Sequence, residues 1–159
     1  MITQFDESAL PGEVRAALVR AAEWIAERFA GRRIQPQPRV AALPTPELGE
    51  GEQLYAVLVA PGGAALQRIE AASVRVYKAK DLDSAEALHS LALSECCLWV
   101  SGMPPAGKDS RAKARDYLLE LREEAGSLGH AFTQVAQACL ELCQGPEVTL
   151  GKPATSRTG

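Results

Sequence analysis

The sequence predicts an α+β fold, predominantly α-helical with a small β element, and three features carry that prediction. Apolar residues return at helical spacing through several separate stretches, as one buried helix face requires. A proline-rich segment interrupts this pattern, and two short runs beyond it have the apolar or alternating character of strands. At 159 residues, 47% apolar and 23% charged, the chain has the material for one sizeable core. A single compact helical domain is expected over residues 1–145, with an extended C-terminal tail over residues 146–159.

Taken in order, residues 13–30 place Val14, Leu18, Ala21, Ile25 and Phe29 at helical spacing, with Arg15, Arg20, Glu23, Glu27 and Arg28 mostly elsewhere, and Gly31 stops this amphipathic helix. Residues 32–52 hold Pro36, Pro38, Pro44 and Pro46, which remove backbone donors and favour extended or turn conformations, so a long connection or edge strand is expected there. Gln53 to Ala60 reads as a strand, Pro61-Gly62-Gly63 as a turn, and Ala64 to Ala71 as a short helix. Ser73-Val74-Arg75-Val76-Tyr77-Lys78 then alternates cleanly, which predicts a second strand over 73–79 paired with the first.

The second half reads as helix throughout. Asp83 and Glu86 have the spacing of a capping box, opening a helix that runs from Ala85 to Val100 and is apolar on most sides. Gly102 to Gly107 breaks it, and Ser110 can cap a further helix with Ala114, Tyr117, Leu118, Leu121 and Ala125, ended by Gly126. A last helix is expected from Leu128 to Gln144, with Phe132, Val135, Ala136, Cys139, Leu142 and Cys143 on its apolar face.

Composition argues against several function classes, leaving nucleic acid a minor reading that a local basic patch would be needed to support. A net charge of −3 gives no broad electrostatic footprint for nucleic acid. No apolar run approaches the roughly 20 residues that span a bilayer, and Met1 to Glu7 lacks the basic and apolar regions of a signal peptide. A cytoplasmic protein with reduced thiols is the expectation, the four cysteines lying in apolar helical stretches rather than in a disulfide framework. The absence of Asn, the abundance of Ala and the preference for Arg over Lys suit a GC-rich bacterial or viral genome.

The motifs are incomplete. Gly102, Gly107 and Lys108 have P-loop spacing, but Asp109 stands where Ser or Thr would hold magnesium, Pro104 and Pro105 remove two amide donors, and the preceding segment reads as helix rather than strand. Val59-Ala60-Pro61-Gly62-Gly63-Ala64 resembles a strand–turn–helix anion site but lacks repeated glycines or a placed cation, and a tight turn is the plainer reading. Cys139 and Cys143, with Cys96 or His130, are metal-ligand types at one-turn spacing, yet on apolar faces such cysteines are ordinarily core filler. His89 and His130 have no acid and nucleophile in a shared motif and read as structural. Arg111, Lys113, Arg115, Glu120, Arg122, Glu123 and Glu124 read as the solvated face of a helix. No catalytic residue, cofactor site or metal ligand is assigned.

The order of the Leu54 to Val59 strand, a short helix, the apolar Ala87 to Trp99 stretch and the Ser127 to Gly145 helix resembles small bacteriophage tail-assembly proteins. The Ala22 to Arg33 segment, followed by prolines, is similar to a helix of head–tail connector proteins. These resemblances imply a non-enzymatic structural or assembly protein of the head–tail junction or tail, present in the cytoplasm during assembly or in the virion. It would act by homo-oligomerisation and by docking on other phage structural proteins, without a membrane. Candidate partner-binding residues are Trp24 and Phe29 on the first helix, Trp99, and Lys152 and Arg157 in the tail. The alternatives are a small nucleotide- or anion-binding regulatory protein using Gly62-Gly63 or Gly107-Lys108, and an adaptor unrelated to phage.

Overall fold

The structure, a computed structural model, describes residues 10–44, 53–104, 110–124 and 126–144. Among them run α1 (Gly12–Arg28), β1 (Arg39–Pro44), β2 (Gln53–Leu58), α2 (Gly63–Ala79), α3 (Leu82–Cys96), β3 (Cys97–Val100), α4 (Ser110–Leu121), a 3-10 turn (Gly126–His130) and α5 (Ala131–Gln144). The fold is predominantly α-helical α+β, as the sequence predicts.

The strands form one antiparallel sheet in the order β1-β2-β3. Alternation along β2 sends Leu54, Ala56 and Leu58 into a core shared with α2, α3, α4 and α5, while Val57 and the following Val59 enter a second core beneath α1. The helix α1 covers that second face with Val14, Ala17, Ala21 and Ile25, a single buried stripe. A bulge between Val57 and Leu58 pairs them with Trp99 and Cys97, leaving Leu98 as the extra residue. Leu98 and Trp99 therefore share the α1 side, while Cys97 and Val100 face the larger core. Many of the residues sealed in that larger core are small, among them Ala41, Ala56, Ala92, Ala114, Ala131, Ala136 and Ala138. They let helix and sheet backbones approach closely, with Leu93, Leu118 and Phe132 filling the space between.

Several expectations are corrected. Residues 73–79 are not a strand: α2 continues unbroken from Gly63 to Ala79, because Ile69, Ala72 and Val76 make its packing face and nothing interrupts the backbone ladder. The period of two came from Val74 and Val76, which lie on different sides of the helix: Val76 packs on the core, while Val74 points outward, 52% exposed, as does Tyr77, 79% exposed. The 85–100 helix is shorter than expected. It ends at Cys96 and passes without a loop into β3, whose four residues are all buried and complete the sheet against β2. Asp83 is not the cap: Asp81 is, its carboxylate accepting from the Ser84 amide at 2.7 Å, which holds its carboxyl below the usual range. Glu86 instead reaches Arg122 at 3.1 Å. The helix expected to end at Gly126 stops at Leu121, and the one expected from Leu128 opens as a 3-10 turn before becoming α at Ala131. The proline-rich stretch does supply an edge strand, β1.

Among the described residues two glycines stand at positive φ, Gly31 at 82° after α1 and Gly102 at 95° after β3. A Cβ on Gly102 would also fall on the Tyr117 hydroxyl. Gly102→Ala should therefore destabilise the protein by about 1–3 kcal/mol through the backbone alone, with the steric clash added. Chemical denaturation is the measurement. Tyr117→Phe in the same chain should restore only part of the loss, since the ring Cζ stays 3.3 Å from the new methyl. Complete restoration would assign the whole cost to the hydroxyl.

Candidate functional site

A cleft of about 720 Å³ opens where the end of α1, the β2–α2 turn, the end of α3 and the start of α4 meet. Its size suits a ligand of nucleotide dimensions. Trp24 of α1, Phe29 at its C-cap and Val59 of the turn continue the smaller core into the cleft wall. The polar wall holds Arg28, Arg32, Arg68 and Arg111, against which Glu95 is the single acid among the described lining residues.

The arginines are arranged on the aromatic rings and on Glu95. The guanidinium carbons of Arg28 and Arg111 lie 5.4 and 5.3 Å from the Trp24 ring centroid, and that of Arg32 lies 5.5 Å from the Phe29 centroid. These are cation–π distances, which hold the charged heads over apolar surface without neutralising them. Glu95 accepts from Arg68 at 2.9 Å and stands 3.8 Å from Arg111, which also donates to the Glu95 carbonyl at 3.3 Å. Arg28 and Arg32 have no carboxylate partner among the described residues.

The turn adds backbone donors. Helix α2 starts at Gly63 with no side-chain cap on Gly62 and no acid in its first turn. The first amides of a helix have no intrahelical acceptor and carry the positive end of its dipole. Nothing inside the protein requires glycine here: the φ of Gly62 is an ordinary −73°, and a Cβ on Gly62 or Gly63 would meet nothing within 4 Å. The bare backbone faces open space beside the arginines. The placed cation missing from the Val59 to Ala64 motif is thus supplied from elsewhere in the chain, by α1, α2 and α4. Chemically, such a cleft can receive an anion with aromatic surface alongside it.

The other expected positions fall as follows. Trp24 and Phe29 line the cleft, half-buried. Trp99 offers no surface to a partner, being 1% exposed with its indole nitrogen donating to the Met103 carbonyl at 3.0 Å. Lys152 and Arg157 lie outside the described residues, as do Gly107, Lys108 and Asp109. The segment before Gly102 is strand and not helix, a correction in favour of P-loop context, but β3 belongs to an antiparallel sheet and the Met103 amide already donates to Val100. Arg111 belongs to the cleft rather than to a simple solvated face. Burial lowers the pKa of His89, favouring its neutral form, and His130 is exposed.

The cysteines form a separate group. The Cys96 sulfur lies 3.8 Å from that of Cys143. The hydrogen bond with Cys139, followed by burial, pushes the Cys96 thiol up, and the hydrogen bond with Cys96, followed by burial, does the same to Cys143. Burial raises Cys139 and pushes Cys97 up to about 12. Neutral buried thiols behave as compact apolar groups. Among the described residues no group of three His, Cys, Asp or Glu side chains is disposed to hold a metal ion.

No protein-family model matches the chain, and no curated protein or solved structure does. No helix among the described residues is long and apolar enough to cross a membrane.

The thiol arrangement has a direct test. In the folded protein an aromatic disulfide reagent should titrate Cys143, the only half-buried thiol, slowly, and the other three only on unfolding. Two or more fast-reacting thiols would show that the α3–α5 contact opens in solution.

Proposed function

We propose that this chain is a non-enzymatic binding protein whose cleft receives a small anionic ligand. The observation that carries the reading is the convergence of Arg28, Arg68 and Arg111, from three helices, and Arg32, from the turn after α1, on one cleft beside the uncapped start of α2. Charge-assisted hydrogen bonds to guanidinium are worth about 1.5–3 kcal/mol each, so losing one contact should cost roughly ten- to a hundredfold in affinity. Calorimetry at low ionic strength with phosphate-bearing compounds is the test. Arg111→Gln and Arg28→Ala should each weaken binding by at least about tenfold without changing the fold. Absence of binding to every anion tried would overturn the reading.

A second reading, a bacteriophage head–tail or tail-assembly protein, is favoured by a different feature. Val74, Tyr77 and Leu82 leave apolar surface at the α2–α3 corner, 52%, 79% and 87% exposed. We propose on that reading a homo-oligomer or a complex with other phage structural proteins, cytoplasmic during assembly or carried in the virion. The absolute mass in solution across a concentration series, alone and with co-expressed neighbouring gene products, tests it. A discrete ring or stoichiometric complex is expected, and Tyr77→Asp should dissolve it; a strict monomer without partners would overturn it.

A further inference from the structure

We propose that Glu95 is a built-in occupant of the arginine cleft, and that it selects for ligands bearing two or more linked phosphates over single carboxylates or a single phosphate. The inference rests on the cleft being an anion-binding site and concerns which anions it takes.

Glu95 sits at the end of α3, its side chain only 20% exposed, between an arginine from α2 and one from α4. One carboxylate oxygen lies 2.9 Å from Arg68 and the other 3.8 Å from Arg111, so a single carboxylate is shared between two guanidiniums. Each guanidinium has five donors, and this sharing leaves most of them unused. The ligand-free cleft is therefore partly neutralised from within on its α2–α4 side, while Arg28 and Arg32 on the α1 side have no carboxylate partner among the described residues.

An intramolecular carboxylate competes at an effective concentration that a free carboxylate does not approach in dilute solution. Exchanging Glu95 for one external carboxylate replaces an ion pair with a similar one and adds the entropy of association, so no net driving force remains. A diphosphate or triphosphate is a different competitor. It brings several charges on linked centres and reaches the α1 arginines at the same time as it displaces or bypasses Glu95. Guanidinium recognises phosphate through paired donors, and the uncapped amides of α2 supply further ones. The cleft, at about 720 Å³, is larger than a diphosphate needs and has Trp24 and Phe29 in its wall. Inorganic polyphosphate and the polyphosphate arm of a nucleotide share this chemistry, and the test separates them.

The experiment is calorimetry on the whole chain at low salt, without metal, using orthophosphate, pyrophosphate, triphosphate, a nucleoside diphosphate and acetate. Pyrophosphate and triphosphate should bind at least about tenfold tighter than orthophosphate, and acetate should not bind. Glu95→Gln should tighten orthophosphate by about fivefold or more, admit acetate, and so narrow the ratio. A nucleoside diphosphate binding tighter than pyrophosphate, with the gain lost in Trp24→Ala, would assign the nucleotide as the source; equal binding would assign the phosphates alone. Equal affinity for orthophosphate and pyrophosphate in the wild type overturns the proposal, even if Glu95→Gln does not fold. So does a folded Glu95→Gln with unchanged or weaker affinity. If single anions bind as well as linked ones and Arg111→Gln abolishes both, the cleft stands and the selectivity falls. If nothing binds to either protein, the cleft reading itself has failed.

Discussion

β2 carries buried side chains on both faces, Leu54, Ala56 and Leu58 toward α2 to α5 and Val57, with Val59 just beyond the strand, toward α1, so neither layer can leave without exposing the other side of the same strand. A strand of that kind needs partners on both edges, because unpaired backbone groups in a buried strand cost as much as lost hydrogen bonds. β1 supplies one edge from the proline-rich segment. The other is supplied by a helix that turns into a strand, Cys96 ending α3 and Cys97 opening β3. The pairing is extended at both ends, by the Val59 amide to the Cys96 carbonyl at 2.8 Å and by the Ser101 amide to the Tyr55 carbonyl at 2.8 Å. The first of these ties the start of the β2–α2 turn to the end of α3, next to Glu95.

The cleft is a by-product of the same arrangement. Val59 is the last β2-side residue of the smaller core, and the chain leaves it through Ala60, Pro61, Gly62 and Gly63 into α2. Trp24 and Phe29 end the α1 side of that core, and their rings hold Arg28, Arg32 and Arg111 by cation–π contact. An aromatic ring orders a guanidinium while leaving its donors free, which a carboxylate does not. The cleft therefore combines two kinds of arginine support: Trp24 and Phe29 orient without discharging, and Glu95 orients by partial neutralisation.

Much of the fold was legible because its helices keep one face each. The stripe of Val14, Ala21 and Ile25 and that of Phe132, Val135, Ala136 and Cys139 are both period-3.6 patterns read correctly from sequence, and both are buried. The errors share a cause. Residues 73–78 imitated a strand because the exposed Val74 falls two residues before Val76, which belongs to the packing stripe of Ile69, Ala72 and Val76. Cys97 to Val100 imitated a helix because no turn residue separates it from α3, and four apolar residues in a row fit either geometry. The site was legible only in fragments. Gly62-Gly63 stood out as a turn, Trp24 and Phe29 as aromatic residues to explain, and Arg111 as one charge among several. What assembles them is contact between segments more than 30 residues apart in the chain, Phe29 and Gly62 being 33 apart and Gly63 and Arg111 48, and no local pattern encodes that.

The charge of the chain bears on which anions the cleft suits. The whole chain carries a net charge of −3, yet among the described residues four arginines and one glutamate line this cleft. A long polyanion such as nucleic acid extends beyond any single cleft and meets the acidic remainder of the surface, where repulsion offsets what the arginines supply. A compact anion experiences mainly the local field, which low-dielectric walls such as Trp24 and Phe29 strengthen, while salt screens the distant charges over about a Debye length. The same imbalance that argues against a nucleic-acid surface therefore favours a small, highly charged ligand, and Glu95 raises the charge such a ligand must bring.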